Sequence, residues 1–343
     1  MAQLELGSIA RGIEEQKARW QAADHPLLHL PEEEQRRRLG VVVDESQLKK
    51  HQSAPKPDLN QIIADYAVQR AVRRSQREGP GAKGPVSPIL EAPPKADARG
   101  NVLAAVNAVT ALRAEPFNLV QLFPFPFWWL FAVDWRNRWG TDYVTPITDQ
   151  LGCGSCVSFG TIATLESMVL IEHNLTTDLS EAELLFCGGG SCGGWWPDNA
   201  VNYLTSKGVA QESCFPYVAM NVPCNTCARR DGEAIKVLQH LTLTDVTQRK
   251  DYLYFIGPMM CAFAVYGDFF AYHSGVYSHV TGGLAGYHCV EVIGYNDFEG
   301  CWICKNSWGS GWGDGGFFKI AYGQCEIDST FPYWGIYHAE WYS

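Results

Sequence analysis

The sequence predicts an α+β protein with helices first and strands second, and three observations carry that expectation. A long apolar helix is expected from Cys156 to about His173, and Gly-rich loops follow it. Short strand-like runs then fill the C-terminal part, at Met259–Val265, His288–Tyr295, Trp302–Asn306 and Gly316–Ala321. Segregation of this kind gives two packed subdomains rather than alternating βαβ units.

The front of the chain reads differently. Residues 8–23 place Ile9, Ile13, Ala18 and Trp20 among charges, the spacing of a weakly amphipathic helix. The stretch from Pro31 to Gly40 has Pro at its first turn, acids early, bases late and Gly at the stop, so a short helix is expected there with its charges on a solvated face. Further helices are expected at 58–76 and 102–113. Between Val41 and Asn101 charge is mixed with Pro and Gly, as in Glu78-Gly-Pro-Gly-Ala-Lys-Gly-Pro-Val-Ser-Pro88, the composition of a partly structured linker. The expected division is a small helical module over 1–45, a linker or pro-segment over 46–132 and the main domain over 133–343.

Composition narrows the function. The chain has 343 residues, 46% hydrophobic and 19% charged, enough to bury a sizeable core. A formal net charge of -10 argues against nucleic acid as a partner. The run Leu122–Phe131 spans 10 residues and holds two prolines, too short and too broken for a membrane span. The first ten residues lack the basic-then-apolar order of a secretory signal. All 12 cysteines nevertheless lie between Cys153 and Cys325, a density that points to secretion or another oxidising compartment.

The chemistry concentrates in Asp149-Gln-Leu-Gly-Cys153-Gly-Ser-Cys156. A C-x-x-C serves thiol redox, metal ligation, or a lone nucleophile beside a structural cysteine. The βαβ pattern of a thioredoxin-like site is missing. Cys224-Asn-Thr-Cys227 and Cys301-Trp-Ile-Cys304 offer further pairs for zinc, but the second lies in an apolar strand whose alternation keeps its thiols from forming a knuckle. A nucleophile needs a base and an orienting group elsewhere. His288 in Gly286-Tyr-His-Cys-Val-Glu-Val-Ile-Gly294 and Asn306 in Lys305-Asn-Ser-Trp-Gly-Ser-Gly-Trp-Gly313 supply them.

Val133-Asp-Trp-Arg136, Gln150 with Cys153-Gly-Ser-Cys156, Leu179-Ser-Glu-Ala-Glu-Leu184, Gly257-Pro258 and Lys305-Asn-Ser-Trp-Gly309 occur in one order. From about Val133 to Ser329 the chain thereby resembles the papain-family, cathepsin-like cysteine peptidases. The resemblance implies a two-subdomain fold, a helical left half and a β-barrel-like right half, with the cleft between them. It implies Cys156 as nucleophile at a helix start, where the dipole favours a thiolate, and His288 as its imidazolium partner. Asn306 would orient the ring, Trp308 would shield that bond with Trp312 in support, and Gln150 with the Cys156 amide would hold the oxyanion. No cofactor and no metal are expected.

The same resemblance implies disulfides Cys153–Cys192 and Cys187–Cys224, with Cys214–Cys227 and Cys304–Cys325 as further candidates. It places Trp195, Trp196, Pro197, Ala262, Cys289 and Thr330 at the substrate, an uncharged lining that suits an apolar side chain two residues before the scissile bond. Gly194 is the candidate for pairing with substrate backbone. Leu151 stands where the family usually has Gly, which strains the loop if it needs positive φ; Val157 and Tyr287 are departures too, and Tyr287 would narrow the pocket.

The expected function is an endopeptidase made as a zymogen, acting on peptide or protein substrate, with residues 1–132 as an intramolecular inhibitor whose Phe123–Phe131 stretch covers the surface or cleft. Two alternatives stay open: a weak or inactive peptide-binding protein on the same fold, and a peptide ligase using the same acyl-enzyme.

Overall fold

The computed structural model describes residues 4–78, 103, 104, 107 and 131–341, with the backbone alone described for 74–78. The stretch from Phe123 to Leu130 and most of the helix expected at 102–113 lie outside those residues.

The main domain forms around α5 (Cys156–His173), whose side chains are buried on almost every face. A helix apolar all round belongs in a core rather than on a surface. Asn174, in the left-handed conformation with φ 54°, stops it. α6 (Pro197–Ser206), with Pro at its first turn, packs beside α5, and the short α7 (Arg230–Glu233) and α8 (Val246–Phe255) follow.

The strands join one sheet. They are β1 (Arg19–Ala22), β2 (Ala132–Asp134), β3 (Ile235–Leu243), β4 (Met259–Tyr266), β5 (Tyr272–Tyr277), β6 (Leu284–Asn296), β7 (Cys301–Lys305), β8 (Phe317–Ala321) and β9 (Tyr333–Trp341). Their order is β1-β5-β8-β7-β6-β4-β9-β3, with β2 paired to β6. Pairing is antiparallel except between β5 and β8. α5 lies against β6 and β9, which brings the helix start to the strand that carries His288. Helical and stranded halves thus meet as α+β predicts.

The front of the chain wraps onto this body. α1 (Leu6–Glu15) occupies only the first part of the helix expected at 8–23. Lys17 then takes φ 53°, and Arg19–Ala22 becomes an edge strand on β5. Trp20 explains the switch: its ring packs 5.1 Å from that of Tyr277, and its Nε1 donates to the Ser278 carbonyl at 3.0 Å. That tertiary burial outweighs local helix propensity. α2 (Glu32–Arg36) is the expected short helix, α3 (Glu45–Ser53) is capped by the Asp44 carboxylate, and α4 (Leu59–Glu78) fills the third expected helix.

Three disulfides form, Cys153–Cys192, Cys187–Cys224 and Cys214–Cys227. Cys304 and Cys325 are not bonded to each other; both are free and buried. Cys304 sits within β7 between Val292 and Phe318, whereas Cys325 lies in a turn beside Tyr277 and His279. Cys156, Cys261, Cys289 and Cys301 are free as well.

Candidate active site

Cys156 is the first residue of α5, fully buried. Ser155, at the cap position, makes no side-chain bond to the helix start, so the first N–H groups of α5 stay directed at the thiol. Its Sγ accepts from the Cys289 N–H at 3.4 Å and from the Gly40 N–H at 3.1 Å. Burial pushes the thiol up to about 11 despite those donors.

His288, one residue from Cys289 on β6, is also fully buried. Its Nε2 lies 2.7 Å from Asn306 Oδ1, which makes Nε2 the protonated nitrogen. Nδ1 is buried, and the Arg38 backbone lies close to the ring. Burial presses the imidazole down to about 4, only partly offset by the Asn306 bond and the Arg38 backbone. Asn306 follows β7, and its Oδ1 also accepts from the Ser307 N–H at 2.8 Å. The Trp308 ring stands 4.8 Å from that of His288 and 5.0 Å from that of Trp312, walling the pair from solvent.

Gln150 is held at both ends. Its Oε1 accepts from Ser307 Oγ at 2.7 Å, which fixes the amide so that Nε2 donates to the Cys153 carbonyl at 2.8 Å and the Arg38 carbonyl at 3.1 Å. Leu151 beside it does adopt positive φ, 54°, and is 49% exposed.

Part of the front segment lies against some of the residues expected to meet substrate. The Trp195 N–H donates to the Gly40 carbonyl at 2.7 Å, the Val42 N–H to the Trp195 carbonyl at 3.0 Å, and the Val41 N–H to the Tyr287 carbonyl at 3.2 Å. Gly194, with φ 109°, makes none of these bonds but gives the clearance: a Cβ there would lie 2.6 Å from the Gly40 carbonyl oxygen. Trp196 packs edge-on to Trp334, and Phe331 lies between Trp196 and Tyr287 at centroid distances of 6.3 and 5.3 Å. Pro197 and Ala262 are buried, and Thr330 is half-buried on the turn before Phe331. Cys289 is buried with its Sγ against Gly160 of α5.

Sequence reasoning missed the segment Arg38–Val42, and with it Ser307, Tyr217 and Phe331. The first had a readable signal in Val41-Val-Val43, a β-branched run directly after Gly40. The others announce themselves only through contacts distant in sequence.

A buried thiol at a helix start, an imidazole held by an Asn amide, and a fixed Gln amide thus lie in one site. The profile of the papain family cysteine protease domain matches residues 131–334. The chain belongs to the papain family of cysteine proteases.

Mouse (Mus musculus) pro-cathepsin H is 34% identical over 204 residues, 56% of this chain and 60% of that protein. A cathepsin B-like protein of Giardia intestinalis is 33% identical over 205 residues, 54% of this chain and 67% of its own length. A procathepsin B of Trypanosoma congolense has a similar fold across 98% of this chain and 99% of its own, at TM-score 0.68 and 21% identity. A cysteine protease of Carica candamarcensis, solved with E-64, matches 60% of this chain and 98% of its own at TM-score 0.53 and 27% identity.

Proposed function

We propose that this chain is a zymogen of a cysteine peptidase, with Arg38–Val42 as the strap that closes its cleft. The observation that carries this reading is the pair of contacts made by one short segment. The Gly40 N–H occupies the Cys156 sulfur, and the Arg38 carbonyl occupies the Gln150 amide. Those are the two positions an acyl substrate needs. The strap presents a donor to the sulfur, so the thiol meets an N–H there. In this closed form the thiol and imidazole are both neutral at pH 7, because burial raises one and lowers the other.

With the strap displaced, water and substrate reach the pair. The Cys156 proton passes to His288 Nδ1, and the thiolate attacks the substrate carbonyl carbon. The oxyanion is held by Gln150 Nε2 and the Cys156 N–H. The imidazolium then protonates the leaving amine, and water drawn through His288 hydrolyses the thioester. Val41, buried and bonded to Tyr287, suggests how a medium apolar side chain is accommodated near Trp196 and Phe331. An internal peptide bond with an apolar residue two positions before it is the expected substrate.

The strap reading assigns an inhibitory contact to Arg38–Val42, while the Phe123–Phe131 stretch expected from sequence to cover the surface or cleft lies, but for Phe131, outside the described residues. The test is peptide hydrolysis together with intact mass after exposure to a thiol-directed peptidyl epoxide, in the full chain opened by Gly40→Val, alone and combined with Cys156→Ala or His288→Ala. Turnover and a single adduct, both lost in Cys156→Ala, are expected. An adduct without turnover would favour a peptide-binding role, and a product joined to an added amine would favour ligation.

A further inference from the structure

Gln150 and Cys156, the two proposed oxyanion donors, sit on either side of a turn that contains a strained residue. Leu151 holds φ 54° with a full side chain, a left-handed conformation that strains a non-glycine residue. Its N–H is tied to Asp149 Oδ1 at 2.8 Å, but Asp149 is itself shared with Arg38 of the strap at 3.1 Å. Opening the strap therefore releases one of the restraints on this turn at the moment the oxyanion donors are needed.

The other restraint does not depend on the strap. The Tyr217 O–H donates to the Gln150 carbonyl at 2.8 Å and meets Ser155 Oγ at 2.7 Å. With the tyrosine proton on Gln150, Ser155 is the donor in the second bond, giving a chain Ser155 to Tyr217 to Gln150. This has a consequence at the helix start, because a Ser at the cap position ordinarily turns its hydroxyl onto the first free N–H groups. Here it does not: Ser155 makes no side-chain bond to the start of α5. The tyrosine is itself fixed, its ring edge-on to Phe159 of α5 at 4.8 Å and its N–H on Glu212 Oε1 at 2.5 Å.

We propose that Tyr217 is the positioning residue of the oxyanion site, clamping the Gln150 carbonyl against the Leu151 strain. It touches no reacting atom and acts through Gln150. The proposal rests on the reading of Gln150 and Cys156 as oxyanion donors.

The test uses Tyr217→Phe, which keeps the ring and removes the hydroxyl, in the full chain opened by Gly40→Val. We expect kcat to fall at least about tenfold with KM nearly unchanged, short of the roughly 10²–10³ loss expected for removing a donor outright in Gln150→Ala. A peptide aldehyde adds the thiol across its carbonyl, the sulfur to carbon and the proton to oxygen, and so uses the oxyanion donors. Its affinity should weaken by the same factor, while the rate of epoxide alkylation, which forms no tetrahedral oxyanion, stays the same. Equal losses in alkylation and turnover would make the role merely structural and overturn the proposal, as would no loss at all. An unchanged kcat in Gln150→Ala would instead overturn the underlying oxyanion reading. A second arm needs no turnover: in the closed full chain, the drop in Tm caused by Tyr217→Phe should shrink by more than about half when Leu151→Gly is also present. Strict additivity would contradict the clamp.

Discussion

Single residues set the state of this site. Leu151→Gly should stabilise the fold by about 1 kcal/mol, since glycine adopts its positive φ without the steric cost; chemical denaturation would measure it, and a loss of stability would show that the Leu side chain contributes more than the strain removes. Asn306→Ala strips the buried His288 Nε2 of its acceptor at 2.7 Å, which should cost about 1–3 kcal/mol in stability and lower kcat more than it raises KM. Wild-type kcat in that variant would remove Asn306 from the mechanism. The sequence made Cys156, His288, Asn306 and Gln150 legible as candidates because each belongs to a short motif of fixed order. It hid Tyr217 and Ser307, whose roles lie in hydrogen bonds to residues 67 and 157 positions away.

At the scale of elements, the parts defined by local chemistry were the readable ones. α5 begins and ends where its pattern does, and the strands β4 and β6–β8 came within a few residues of their observed bounds. β1 was misread as helix because its strand character comes from β5, some 250 residues away, and from the pocket that takes Trp20. Trp20→Ala should therefore cost about 3–5 kcal/mol for docking of the front segment, as for other large buried aromatics. Calorimetry of the full chain should show a low-temperature transition split from the main one. A single unshifted transition would mean that β1 adds little to closure. The front helices hold on elsewhere too: Arg70 of α4 donates to the Ile171 carbonyl at 2.7 Å, and His51 of α3 meets Asp198 of α6 at 2.7 Å.

At the scale of the whole molecule, the account predicts that acid loosens the strap. In the closed form His288 is held at about 4, below its ordinary 6.5, so the open form binds a proton that the closed form refuses. Closure is then fully supported above about 6.5 and weakens as pH falls towards 4. Burial alone would raise the Asp198 carboxyl, but bonds from His51, Trp334 and Trp196 outweigh it and hold the carboxyl below its usual range. That contribution to closure is present at neutral pH and is lost as pH falls through the depressed value, the same direction as for His288. Amide exchange at Trp195, whose N–H is bonded to Gly40, should speed up by about 15-fold between pH 6.5 and 5 after correction for intrinsic rates; unchanged protection would contradict the linkage. The central claim, that Arg38–Val42 is what closes the site, is tested most directly at Gly40, where a Cβ would lie 1.8 Å from the Gly154 carbonyl oxygen and the strap could not stay seated. The measurement is the rate at which a peptidyl epoxide alkylates Cys156 in the full chain, wild type against Gly40→Val. Loss of the backbone bonds made by the strap, about 1 kcal/mol each, predicts an acceleration on the order of 10²-fold; equal rates would show that the strap does not close the site.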